Sequence, residues 1–342
     1  MKKLLLFALL IVSQLTQAQT GIWCWAQWRE AVPLSIYQNK NITGVSLAFY
    51  WQDMEPQPGR YDFTRLNTEL SKCVAHNKKA GISVAAGAKA PQWLKDKTPC
   101  LQFSEIRKDG DGKPYEVILP IPWDTTYLNA WQRFINALGA HIAARPTYNN
   151  IITHVALSGI STTTCEMRLP QMEPTPQHPN VTNATVIWRN AGYDGFKILQ
   201  SFNFCRRAWI KAFPQKKLVI DMMLGNEFPL VDTVNINQGV FKACNATGNP
   251  GRYIFKHTSL TNNSRGTLIT EIKNQGFAAA WQTNQSMYGA TPCAPACNDT
   301  SIKQALDIGI KFNVQFIEMQ TLAIINYPQA VSYAAIKMAR MQ

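Results

Sequence analysis

The sequence predicts a single (β/α)8 barrel, on three observations. Eight short, apolar, β-rich runs recur from end to end, and helical patterns separate most of them. Parallel strands need helical crossovers, and eight such units close into a ring. The polar, Pro- and Gly-rich connections follow the third, fourth, fifth and seventh strands, whereas the returns from helix to strand at 79–81, 214–217 and 274–276 are brief. In a barrel this asymmetry gathers the long loops at the C-terminal ends of the strands, where active sites sit. An open, doubly wound sheet would be supported by a Gly-x-Gly-x-x-Gly turn, and the chain has none.

Taken in order, 21–25 (GIWCW) is the first strand and 32–38 a helix; 45–50 (VSLAFY) is the second strand. Leu66, Leu70, Cys73 and Val74 stand at helical spacing within 63–79. Gly81 stops that helix, and 82–87 is the third strand. Residues 91–123 read as a long polar loop. A helix over 127–144 puts Leu128, Trp131, Phe134, Ile135 and Leu138 on one face and ends at Arg145-Pro146. The fourth strand (151–157), a loop (158–191), a helix (196–213) and the fifth strand (218–223) follow. Strands six, seven and eight are 253–257, 277–281 and 314–319, with helices at 267–274, 301–311 and 330–341.

Composition bounds the function without naming it. The 342 residues are 46% hydrophobic and 16% charged, enough for one large core. Net charge is +13, and it is dispersed: no Lys/Arg run forms a nucleic-acid arm, so no nucleic-acid partner is expected. Residues 1–19 have the order of a secretory signal peptide: Lys2-Lys3, an apolar stretch from Leu4 to Val12, then Thr16-Gln17-Ala18. The barrel is then 20–342, its charge falls to +11, and its location is secreted or periplasmic. No segment is long enough to insert in a membrane. Eight cysteines in an exported chain point to disulfides, Cys293 with Cys297 being the local pair. Cys-x-x-Cys or His ligand spacing is absent, so neither a metal nor another cofactor is expected. Seven Asn-x-Ser/Thr triplets, Asn183 and Asn298 among them, matter only if the source glycosylates exported chains.

After the second strand comes Trp51-Gln52-Asp53-Met54-Glu55-Pro56-Gln57-Pro58-Gly59-Arg60-Tyr61-Asp62-Phe63. It resembles the Trp…Glu-Pro-x-x-Gly-x-Tyr-Asp-Phe segment of the family 42 glycoside hydrolases and related clan A barrels. Ala80 to Val84 and Ala90-Pro91-Gln92-Trp93-Leu94 resemble that family's third strand and its continuation. The motif is largely structural: Pro56, Pro58 and Gly59 shape a turn, Tyr61 and Phe63 pack it, and Glu55 fixes it. The resemblance implies a glycosidase barrel with an acid/base Glu, usually after Asn, ending strand four and a nucleophilic Glu ending strand seven.

This chain departs from that arrangement. Strand four runs into Leu157-Ser158-Gly159-Ile160, and strand seven into Gln282-Thr283-Asn284-Gln285, without a carboxylate at either place. The acids at hand are Glu318, ending strand eight between Ile317 and Met319, and Glu166, in the loop after strand four. We expect these as the working pair, Glu166 as acid/base and Glu318 as nucleophile or base. About 5 Å between them would mean retention and about 6.5–9.5 Å inversion. The alternatives are Asp221, inside strand five, and Glu227, in the only Asn-Glu pair. Were 21–25 not a barrel strand, Glu227 would close strand four and Glu318 strand seven.

Sugar rings stack on indoles, and hydroxyls need fixed polar partners. Trp51, Trp93, Trp123 and Trp281, with Gln52, Gln282, Asn284 and Gln285, are the expected substrate contacts. His154 and His257 are expected to be structural. The functional expectation is a secreted glycoside hydrolase of a poly- or oligosaccharide; the alternative is a carbohydrate-binding barrel without catalysis. A Gly-x-Ser-x-Gly elbow for a serine hydrolase is missing.

Overall fold

The computed structural model describes residues 20–26, 28–106, 114–222, 228–229, 231–283 and 297–341. Ten strands occur among them: β1 (Gly21–Trp25), β2 (Gly44–Tyr50), β3 (Lys79–Ala85), β4 (Cys100–Ile106), β5 (Pro114–Pro120), β6 (Ile152–Ala156), β7 (Lys217–Met222), β8 (Tyr253–Leu260), β9 (Ala278–Thr283) and β10 (Phe316–Gln320). Eight close a parallel barrel in the order β1-β10-β9-β8-β7-β6-β3-β2. These are the eight strands expected. β1 pairs with both β2 and β10, so it is a full barrel strand. Glu318 therefore stands on the eighth strand of the ring, and the renumbering that would move it to the seventh is ruled out.

The barrel is built by alternation, since successive side chains on a strand face opposite sides. Ile22, Cys24, Val45, Leu47, Phe49, Ile82, Val84, Ile220, Phe255, Trp281, Ile317 and Met319 belong to the main core between strands and helices. The other parity points inward. At the N-terminal end of the ring Trp23, Val219, Ile254, Ala280 and Phe316 fill the lumen. His154 completes this plug, its ring 4.8 Å from Trp23 and 5.2 Å from Phe316. Gly44 and Gly81 make room for it. A Cβ on Gly81 would come within 2.2 Å of His154 Nε2, and one on Gly44 within 2.6 Å of the Trp23 ring. Burial pulls the His154 pKa down to about 3, helped by the Lys256 charge, so the imidazole is neutral.

Helices enter from the long loops on short polar caps. Asp124, Asn183, Asp194, Asn235 and Asn298 each accept a hydrogen bond from a first-turn backbone N–H. Asn183 and Asn298, both in glycosylation triplets, thus serve as helix caps.

Two expectations are corrected. The segment 91–123 is not only loop: it carries the antiparallel pair β4–β5, with Phe103, Val117 and Leu119 buried on one face. Wide use of disulfides also fails among the described residues, where Cys297 alone is disulfide-bonded. Cys24, Cys73, Cys100, Cys165, Cys205 and Cys244 are free thiols, five of them buried. Cys293 lies outside the described residues. Among the described residues no helix is long and apolar enough to cross a membrane.

Candidate active site at the barrel mouth

Inward parity sets three charged side chains in the middle of the lumen, above the apolar plug. Asp221 and Lys256 are register partners on β7 and β8, and Glu318 projects from β10. All three are almost fully buried, at 2%, 1% and 1% exposure. Lys256 Nζ donates to Glu318 Oε2 at 2.6 Å and lies 3.1 Å from Asp221 Oδ1. Ser46 Oγ on β2 donates to Glu318 Oε1 at 2.5 Å. Both oxygens of Glu318 accept, so its carboxyl group is held in a fixed orientation. The two acids share one ammonium, so their bound oxygens are separated by no more than the sum of those two contacts.

Such a cluster has more negative than positive charge, and this shows in its titration. Burial pushes the Asp221 carboxyl up to about 6; the Lys256 charge opposes this, while Glu318 and Glu166 add to it. Burial would lower the Lys256 pKa, but the carboxylates of Asp221 and Glu318 outweigh it and raise it. Lys256 stays an ammonium, and Asp221 is the member that can take up a proton near neutrality.

Glu166 comes to the same neighbourhood on the loop after β6. The backbone N–H of Met167 donates to the Asp221 carbonyl at 2.9 Å, tying that loop to the end of β7. Glu166 itself is partly exposed. It accepts from Thr164 Oγ1 at 2.9 Å and pairs with Arg168 Nε at 3.4 Å. The structure thus brings Glu166, Asp221 and Glu318 into one electrostatic field, with Lys256 as an addition that the sequence reading missed.

A second missed feature adjoins the first. Trp25 ends β1 facing inward, and Lys256 Nζ sits 4.8 Å from its ring centre. Trp28 meets Trp25 edge-on at 5.6 Å and stacks on Tyr50 at 5.1 Å, with 14° between planes. Trp28 and Tyr50, both half-buried, pack on Ala85, Ala156 and Cys165 at the upper ends of β3, β6 and the following loop. This aromatic corner therefore leans across the mouth of the ring.

Several expected contacts lie elsewhere. Trp51 is fully buried against Tyr127, Trp131 and Phe134. Trp281 has the outward parity of β9 and is buried between His257 and Phe312. Both are core residues, which corrects their expected role as sugar platforms. Trp93 is half-buried and donates to the Glu55 carbonyl at 3.0 Å. Trp123 packs beside Trp188 and Tyr193. Gln52 sits half-buried on the helix Trp51–Met54. Gln282 does face inward, as the register partner of Glu318. Glu227, Asn284 and Gln285 lie outside the described residues. Glu55 fixes its turn, accepting from Trp51 Nε1 at 2.8 Å and Gly59 N at 2.9 Å. His257 is buried and hydrogen-bonded to Ser259 at 2.6 Å.

An open cleft also runs past Arg29, Tyr50, Asp53, Asp62 and Arg65 on the outer side of β2. None of the three acids borders it, and its Arg29 and Asp53 form a bidentate pair with each other. No group of His, Cys, Asp and Glu suited to a metal occurs among the described residues.

Comparison with known proteins agrees with this architecture. The family 42 glycoside hydrolase model, described as β-galactosidase, matches residues 22–146, which include the Trp51–Phe63 motif. The catalytic domain of a β-amylase from Paenibacillus polymyxa is similar, with a TM-score of 0.63 and 11% identity over 95% of this chain and 99% of that one. Two β-galactosidases, from Rahnella sp. R3 and the psychrophilic Marinomonas ef1, give TM-scores of 0.60 and 0.59 at 11% identity. They align with 95% and 94% of this chain, which spans only 57% and 59% of their length. A search of the curated proteins finds no match. The chain is a closed barrel of the kind that clan A glycosidases use, resembling family 42 in its N-terminal third.

Proposed function

We propose that this protein is an exported glycoside hydrolase whose working carboxylates are Glu318 and an acid of the Glu166–Asp221 neighbourhood. The carrying observation is the position of Glu318: midway along the barrel strand Phe316–Gln320, facing the lumen and oriented on both oxygens by Ser46 and Lys256. Its oxygens accept hydrogen bonds and donate none, which suits a nucleophile or base. The proton for the leaving oxygen then comes from a second acid. Glu166 has the exposure to reach a substrate, and Asp221, raised by burial to about 6, can take up a proton as the pH falls toward that value. The similarity to glycosidase barrels supports this reaction class.

One observation favours the second reading, a carbohydrate-binding barrel without turnover. Glu318 and Asp221 are almost fully enclosed and already ion-paired. Incubation with starch, galactan and xylan, following reducing ends and binding together, separates the two. New reducing ends support hydrolysis; binding without them at every pH from 4 to 9 supports the binding protein. The export reading rests on the signal-peptide order of residues 1–19, and a mature N-terminus near Thr20 in the extracytoplasmic fraction tests it.

A further inference from the structure

We propose that the aromatic corner Trp25–Trp28–Tyr50 is the sugar-stacking subsite of this mouth, and that it takes a neutral pyranose unit. This inference rests on the glycan reading above and names the ligand class and the residues that hold it.

The corner is a built surface. Tyr50 supports Trp28 face to face, Trp25 braces it edge-on, and Ala85, Ala156 and Cys165 pack beneath. The small side chains at those inward positions leave the space over the ring ends to the indoles. Trp28 remains partly exposed, and its geometry is fixed by neighbours rather than by a sugar. A rigid, partly exposed indole binds the apolar face of a pyranose at low entropic cost. The corner also touches the chemistry: the ammonium over Trp25 is the one that orients Glu318. A ring stacked on Trp28 would thus lie beside the carboxylates.

Charge argues for neutrality of that ring. Arg29 is bound bidentately by Asp53, Arg168 pairs with Glu166, and Lys256 is shared by Asp221 and Glu318. Lys89 sits 4.7 Å from the Tyr50 ring centre, engaged with the aromatic face. Arg29, Arg168 and Lys256 are thus each paired with an acid, so the basic net charge does not by itself mark an acidic glycan here.

The test is calorimetric titration of the full chain with maltotetraose, xylotetraose, β-1,4-galactotetraose and trigalacturonate, at low and high salt. A neutral tetrasaccharide should bind best, with affinity indifferent to salt. Trp28→Ala should weaken that binding about tenfold or more while keeping the wild-type melting temperature. Trp28→Phe, which keeps a flat ring and serves if the alanine variant folds poorly, should recover part of it. Undiminished binding by Trp28→Ala would overturn the subsite and leave the glycan reading intact. Preferred, salt-sensitive binding of trigalacturonate would overturn the ligand class. Wild-type protein that binds none of the four would overturn the glycan reading itself, and this inference with it.

Discussion

Replacing Lys256 by Met removes the one cation between two buried acids while nearly preserving side-chain volume. Lys256, Asp221 and Glu318 are each at most 2% exposed, so water cannot compensate the charges left behind. Breaking a buried pair in this way costs about 3–5 kcal/mol. At about 2 °C per kcal/mol for a domain of this size, the melting temperature should fall roughly 6–10 °C. The loss should depend on pH. Near pH 8 Asp221 is ionised, neither acid has its ammonium partner, and the deficit is greatest. Toward pH 4 Asp221, already at about 6 with Lys256 present, is protonated and the deficit shrinks. Urea midpoints at pH 4, 6 and 8 measure this. Equal midpoints for wild type and Lys256→Met at all three would refute the ion-pair account.

Three further outcomes follow from the same geometry. The Asp221 pKa is raised from 3.8 to about 6, so its ionisation costs stability as pH rises, roughly 3 kcal/mol fully developed above pH 6 and absent below pH 3.8; Asp221→Asn should flatten that limb, and an unchanged limb in urea titrations contradicts it. His154 is opposite in sign: its pKa falls from 6.5 to about 3, so the stability of its neutral form is complete above pH 6.5 and drains away at about 1.4 kcal/mol per pH unit on acidification, and His154→Leu should lessen that acid slope. Trp51→Ala should destabilise by about 3–5 kcal/mol in thermal melts and leave the glycan affinity of the folded protein unchanged, whereas a selective loss of affinity would return Trp51 to the site.

The fold was readable because each barrel strand is an apolar run bounded by breakers. The pair β4–β5 was not, since its buried apolar side chains are few, Phe103, Val117 and Leu119 chief among them, and Pro, Asp and Gly dominate its surroundings. At the site, proximity to a strand end proved a poor guide and parity a better one. Trp281 and Gln282 are adjacent on β9, yet one faces the helices and the other the lumen. The same parity would have found Lys256, a lone cation in the apolar strand Tyr253–Leu260, two residues beyond the lumen-filling Ile254. The stacking of Trp28 on Tyr50 had no such signal, because the two belong to separate segments that only the closed ring brings together.

Hydrolysis by Glu318→Gln tests the central claim most directly. Glutamine keeps the shape and can still accept from Ser46 or Lys256, but it can neither attack an anomeric carbon nor take a proton from water. On any glycan the wild type cleaves, reducing-end release should fall about 10²-fold or more while binding persists. Release at the wild-type rate would contradict the assignment.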